Sequence, residues 1–203
     1  MKPKLLSFLL AIAAIIASPC FAADKNPAAE FADNLGKQAL AIITKEEGNK
    51  QEKTLQLQKL FADNVDIESI AKFVLGRNSK SASEAQIKLY MQNYRDFIIK
   101  HYTANLAEFK DADFEVGKVS KDERGGYVVT MRIKRPQAQD VIVDYTIRDK
   151  EKEGLKVYDI TVEGVSMITT QRSEFSSVIE QKGLDYLITT LGERSKQEEA
   201  TSN

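Results

Sequence analysis

Two residue types are almost missing from the 203-residue chain: it has one cysteine and one histidine. Cys20 falls in an N-terminal segment with the features of an export signal. Cleavage there leaves a chain that needs no disulfide and has no thiol catalyst or thiolate metal site. A Ser-His-Asp triad, a two-histidine metal site or a histidine relay would have to use His101 or fail. His101 lies on the apolar stripe of a predicted helix, where a hydrogen-bonded core or pocket-edge role is the plainer reading. The chain has no HExxH, GxSxG, Walker loop or dinucleotide glycine fingerprint. It therefore lacks the sequence signatures of nucleotide-driven work.

Charge of one sign is also missing. The sequence holds 29 basic and 30 acidic residues, and no basic block points to nucleic acid. Losing Lys2 and Lys4 with a leader takes the net charge from −1 to −3. Carboxylates are plentiful, but no spacing singles out a pair suited to flanking a glycosidic bond. Internal repeats and low-complexity segments are absent.

The one long apolar run is Leu5 to Ala17, broken only by Ser7 and preceded by Lys2 and Lys4. It is shorter than the about 20 residues a transmembrane helix needs. With the small residues of Cys20-Phe21-Ala22 it reads as a signal peptide cut after Ala22. A lipoprotein reading of Cys20 would put Pro19 at the cleavage position. Residues 1–22 are thus expected to be a leader, 23–192 one domain and 193–203 a polar tail. A domain of this size buries about 70% of its unfolded surface, which leaves room for a cavity.

Apolar spacings of three and four predict helices over about 26–45, 51–61 and 67–75, the last capped by Asp66 and ended by Gly76. A long helix should start at Ser81 or Ser83, since both match a capping box. Its face carries Ile87, Tyr90, Met91, Tyr94, Phe97, Ile98, His101, Tyr102 and Leu106. Beyond Asp113 the period becomes two, which predicts a four-stranded antiparallel meander over about 114–119, 127–133, 141–147 and 155–165. Arg132, Lys134, Asp144 and Arg148 fall on its polar side. A helix starting at Ser166 or Thr169 and ended by Gly183, then a short one over 184–191, complete an α+β architecture of helices packed on one sheet face. Arg172 falls in the first of these two helices. Helix starts favour anions, although position alone favours a structural salt bridge for it.

The segment from Val157-Tyr158-Asp159-Ile160-Thr161 to Ser166, followed by Arg172, Phe175 and Gly183-Leu184-Asp185-Tyr186-Leu187, resembles the MlaC family, also called the toluene-tolerance family. The likeness continues at Val65-Asp66-Ile67, Phe73 to Arg77 and Phe97 to Tyr102, and in order it covers nearly the whole mature chain. Two steps depart from it: Asn78-Ser79, where members often carry an aromatic residue, and Thr170-Gln171-Arg172, where Asn-Tyr-Arg is frequent.

The resemblance implies a nuclear-transport-factor-like fold in which helices and a curved four-stranded sheet enclose an apolar lipid cavity. It implies a periplasmic carrier, with bound phospholipid as cargo and no cofactor, metal or catalytic residue; a monomer is the default expectation. The carrier would shuttle lipid between an outer-membrane lipoprotein–porin complex and an inner-membrane MCE-domain ABC transporter complex, maintaining outer-membrane lipid asymmetry. Two acyl chains hold about 30 methylenes, and exposing them to water would cost ~24 kcal/mol. Unaided diffusion is therefore excluded. Ile70, Phe73, Val74, Tyr94, Phe97, Ile98, Tyr102, Val129, Met131, Val143, Tyr145, Phe175 and Ile179 are expected to line the lipid pocket, with Arg172 at its rim. A lipid-modifying enzyme in a similar cavity and an envelope adaptor that carries nothing are the competing readings.

Overall fold

A computed structural model describes residues 26–104, 109–136 and 138–202. The expected signal peptide and Leu106 lie outside the described residues. The chain runs α1 (Pro27–Thr44), α2 (Lys50–Asn64), α3 (Ile67–Leu75), α4 (Glu84–Thr103), β1 (Asp113–Lys121), β2 (Tyr127–Lys134), β3 (Val141–Lys150), β4 (Gly154–Val162), β5 (Val165–Ser166), α5 (Met167–Lys182) and α6 (Leu184–Ser202).

Side-chain caps set most helix starts. Asn26, Asn49 and Asp66 accept from the backbone N–H groups of Ala28, Glu52 and Ser69, filling donors that a helix leaves unpaired at its start. Ser83, rather than Ser81, forms the capping box of α4 with Gln86. Ser81 instead ends a 3₁₀ segment, Gly76–Ser81, which apolar periodicity does not reveal. Ser166 caps α5 through Thr169 N–H.

The sheet is antiparallel throughout, in the order β1-β2-β3-β4-β5. It has one strand more than the expected four, because the chain reverses at Glu163 and Gly164, both at positive φ (48° and 82°). Val165 and Ser166 then pair back on β4 before α5 begins. Phe114 opposite Ile133, Val116 opposite Met131, Val129 opposite Tyr145 and Met131 opposite Val143 set one apolar face toward the helices. Register shifts between Val116 and Val119 and between Thr146 and Ile147 bend the strands that carry them. On the polar side, Lys134 pairs with Glu115 and Arg148 approaches Asp122 at 3.6 Å.

Two apolar clusters lie between helices and sheet. Ala28 and Ala32 of α1 pack with Val129, Met131 and Ile147. A larger cluster joins α3, α4, α5 and α6 with Tyr158 of β4. The junction between α2 and α3 is tied to β4 and β3: Val65 bridges Val157 in parallel, Asp66 N–H donates to Val157 C=O at 2.9 Å, and Lys150 Nζ of β3 meets Asp66 Oδ1 at 2.9 Å.

The expected stop of the last helix at Leu191 is not observed, since α6 continues through Ser202. Leu187, Ile188, Leu191 and Ser195 form a buried stripe. On the facing helix, Asn93 of α4 donates to Ile188 C=O at 2.9 Å, and its amide lies against Gly192. Contact with α4 thus extends a helix whose own tail is polar. Leu55 of α2 stands 58% exposed.

Candidate functional site: two adjoining apolar cavities

Two cavities lie where the helical layer meets β4. The first holds about 430 Å³ of empty space, including its open side. It is lined by Ile67 and Ile70 of α3, Tyr94 and Ile98 of α4, Tyr158 of β4, and Met167, Ile168 and Gln171 at the start of α5. The second, about 680 Å³ on the same measure, runs beneath α1 and α2 along Leu35, Ala39, Leu57 and Leu60 to Tyr145 of β3. The space open to the centre of a water-sized sphere is about 30 Å³ in the first and about 180 Å³ in the second, narrower than the about 300–1,000 Å³ of usual small-molecule sites. Phe61, Val65, Tyr102, Val157 and Ile160 line both cavities. The Phe61 and Tyr102 rings stack at the common wall, 9° from parallel with centroids 6.0 Å apart.

Two polar groups of the first cavity are paired. Tyr94 Oη donates to Gln171 Oε1 at 2.5 Å. Asp159 accepts from Ser166 Oγ at 2.6 Å and Ile168 N–H at 3.2 Å, so its carboxylate anchors the start of α5. Burial pushes the Tyr94 phenol well above its ordinary range, with Tyr90 and Tyr102 adding to the effect. It also raises Tyr102, aided by the carboxylates of Asp159 and Glu174, and Tyr145. Desolvation opposes the charged phenolate, so these groups stay neutral at physiological pH and make poor bases. No group of three or more His, Cys, Asp or Glu among the described residues is arranged to hold a metal ion.

His101 is hydrogen-bonded as expected, but it lies outside the core and borders neither apolar cavity. It is exposed, stacks on Phe97 with centroids 5.1 Å apart, and sets Nδ1 3.1 Å from Glu198 Oε1. The continuation of α6 supplies that carboxylate, which the expected short helix would not have reached.

Of the residues expected around a pocket, Ile70, Tyr94, Ile98 and Tyr102 meet at the first cavity, and Tyr102 and Tyr145 at the second. Val74, Phe97 and Phe175 belong to the cluster that packs around the first cavity, with Phe73 and Ile179 half-buried against it. Phe175 meets Tyr94 edge-on at 6.2 Å. Val129 and Met131 are packed under α1, and Val143 is buried opposite Met131 and Val162. Arg172 holds its guanidinium 4.8 Å above the Phe73 ring and against Gly76, where a Cβ would sit 2.8 Å from Nη2. Phe73 in turn meets Tyr158, a lining residue, at 6.3 Å. Sequence reasoning did not assign Leu35, Leu57, Leu60, Phe61, Val65 or Ile160 to a site. The three leucines fall within predicted helices, but helical spacing carries no sign that a face borders open space.

The sequence model of the family described as MlaC protein matches residues 33–193, taking in part or all of every helix and strand. The chain is similar to the intermembrane phospholipid transport system binding protein MlaC of Haemophilus influenzae. It is 25% identical over 137 residues, which cover 66% of this chain and 64% of that protein. The chain thus spans just under two thirds of that relative's length. Its fold is similar to that of a phospholipid-binding protein from Ralstonia solanacearum, solved in complex with a phospholipid. The TM-score is 0.71 at 21% identity, over 84% of this chain and 98% of that one. The match across every element is a match of sequence as well as of fold, and the chain belongs to the MlaC protein family.

Proposed function

We propose that this protein is a soluble phospholipid carrier of the periplasm, exported by residues 1–22. It moves lipid between an outer-membrane lipoprotein–porin complex and an inner-membrane MCE-domain ABC transporter complex, and so maintains outer-membrane lipid asymmetry. The observation that carries this reading is the pair of adjoining cavities, whose linings are almost wholly apolar. Acyl tails lie against Ile70, Tyr94, Ile98, Tyr102 and Tyr145, joined by Phe61, Val65 and Ile160. Phe73, Val74, Phe97, Val129, Met131, Val143, Phe175 and Ile179 form the packed layer behind them. Arg172 serves the rim. Membership of the MlaC family and the names of the two similar proteins support the same reading.

The physics asks no chemistry of the carrier. A tail moving from bilayer to cavity exchanges one apolar environment for another, so the large water-exposure term cancels and the transfer is nearly balanced. Neutral, buried phenols and an exposed histidine fit a container better than a hydrolase. No described helix is long and apolar enough to cross a membrane. Mass spectrometry of an organic extract of the purified protein tests the proposal. Intact phospholipid in stoichiometric amount is expected. An empty extract would favour the adaptor, and lysophospholipid or free fatty acid made from added phospholipid would favour an enzyme.

A further inference from the structure

Phe61 lies in the last turn of α2 and Tyr102 in the last turn of α4. Each ring borders both cavities. They differ in this from the neighbouring core aromatics: Tyr90 and Tyr94 are fully buried and their hydroxyls are hydrogen-bonded, to Ala71 C=O and Gln171. Phe61 and Tyr102 are only half-buried. The remainder of the shared wall is stiffer. Val65 and Val157 are backbone-paired to one another, and Ile160 is held in the sheet opposite Tyr145. The two rings are the largest side chains of the divider and meet through a single aromatic contact of modest strength, so rotation of either ring opens it.

We infer that the Phe61–Tyr102 pair is an acyl-chain partition, which divides the lipid site into two compartments and sets the chain length each accepts. The inference rests on the phospholipid-carrier reading. A tail entering either compartment meets a ring face at the shared wall. Each further methylene must then part the rings or stay in water, and one methylene kept from apolar surroundings weakens binding about fourfold. The carrier thereby discriminates among phospholipids by tail length, with no polar contact needed.

The test uses the full chain as wild type and as Phe61→Leu, Phe61→Ala, Tyr102→Ala and Leu191→Ala. Each is stripped of lipid and reloaded from vesicles containing equal amounts of one short-chain and one long-chain phosphatidylethanolamine. Intact lipid bound to folded protein is then counted by mass spectrometry. Loss of either ring is expected to raise the ratio of long-chain to short-chain lipid at least about fourfold, the worth of one methylene. Leu191→Ala opens a comparable void between α4 and α6, away from both cavities, and is expected to keep the wild-type ratio. Phe61→Leu preserves apolar bulk without the stack, so it decides the matter if the alanine variants fail to fold. A wild-type ratio in loaded Phe61→Leu, or an equal rise in Leu191→Ala, overturns the partition and leaves the carrier reading standing. A wild-type protein that binds neither lipid overturns both.

Discussion

Asp66 and Lys150, 84 positions apart in the chain, meet at 2.9 Å where the start of α3 is fastened to the sheet. The same carboxylate accepts from Ser69 N–H at 3.2 Å, so it caps α3 while it anchors β3. Val65 and Asp66 also pair with Val157. One short segment thus holds the floor that both cavities share.

That pairing has a definite pH signature. Burial pushes the Asp66 carboxyl up, but hydrogen bonds from Lys150 and Ser69 outweigh it and leave the carboxyl below its ordinary range. The hydrogen bond to Asp66 holds the Lys150 ammonium above its own range. A lowered acid pKa stabilises above the unfolded value, about 3.9, and that stability is lost as pH falls through the folded pKa. A raised lysine pKa stabilises below about 10.4, and its contribution is lost as pH rises through the folded pKa. Asp66→Asn, which keeps a capping side chain, should therefore cost about 1.5–3 kcal/mol at neutral pH. The difference from wild type should shrink in strong acid, as urea titrations over a pH series would record. A pH-independent difference would leave the ion pair without an energetic role.

Polarity at the shared wall should remove cargo before it removes the fold. Ile160 borders both cavities from β4, and Ile160→Asn places an amide there that the tails cannot satisfy. A stability loss of about 1–3 kcal/mol is expected. Co-purified phospholipid should fall at least about tenfold, since 1.4 kcal/mol already gives that factor. Circular dichroism and lipid extraction on the same sample separate the two effects.

Arg172 is positioned by what it rests on. Its guanidinium lies over Phe73 and against Gly76, a residue at φ 53°. Arg172→Ala should leave the fold intact and slow phospholipid transfer between vesicles several-fold, the loss of a charge-assisted contact of about 1 kcal/mol or more. Gly76→Ala should do the same at a greater cost in stability, because its Cβ meets the guanidinium and its backbone favours glycine. An unchanged transfer rate in Arg172→Ala would remove the rim role.

His101 provides the contrast. Its partner Glu198 and its stacking on Phe97 lie on the outer α4–α6 surface. His101→Gln should change stability by less than about 1 kcal/mol, as for other exposed pairs, and should leave lipid content and transfer unaltered. A loss of phospholipid turnover in this variant would point to catalysis instead.

Local chemistry made much of the fold legible. Asn26, Asp66 and Ser166 announce helix starts through their own side chains, and Gly76 and Gly183 end helices at positive φ. Beyond Leu191 the stripe on α6 continues through Ser195, a small polar residue that reads as surface until α4 covers it. The site was legible only in part. Tyr94 and Ile98 follow from their helical spacing. Val129 and Met131 lie on the correct sheet face, but small Ala28 and Ala32 let α1 press against them, so they are packed rather than open. Phe61 and Val65 become wall residues only when α2, α4 and β4 converge, a relation between elements that no period within one element encodes.

The most direct test is to load the wild-type protein with a phospholipid bearing a photoreactive group at the end of one acyl chain, irradiate it, and map the labelled residues by peptide mass spectrometry. The carrier account predicts label on the cavity walls, foremost Phe61, Val65, Tyr102, Val157 and Ile160. Label confined to the outer α4–α6 groove around Leu89, Asp96 and Lys196, or no label on loaded protein, would contradict it.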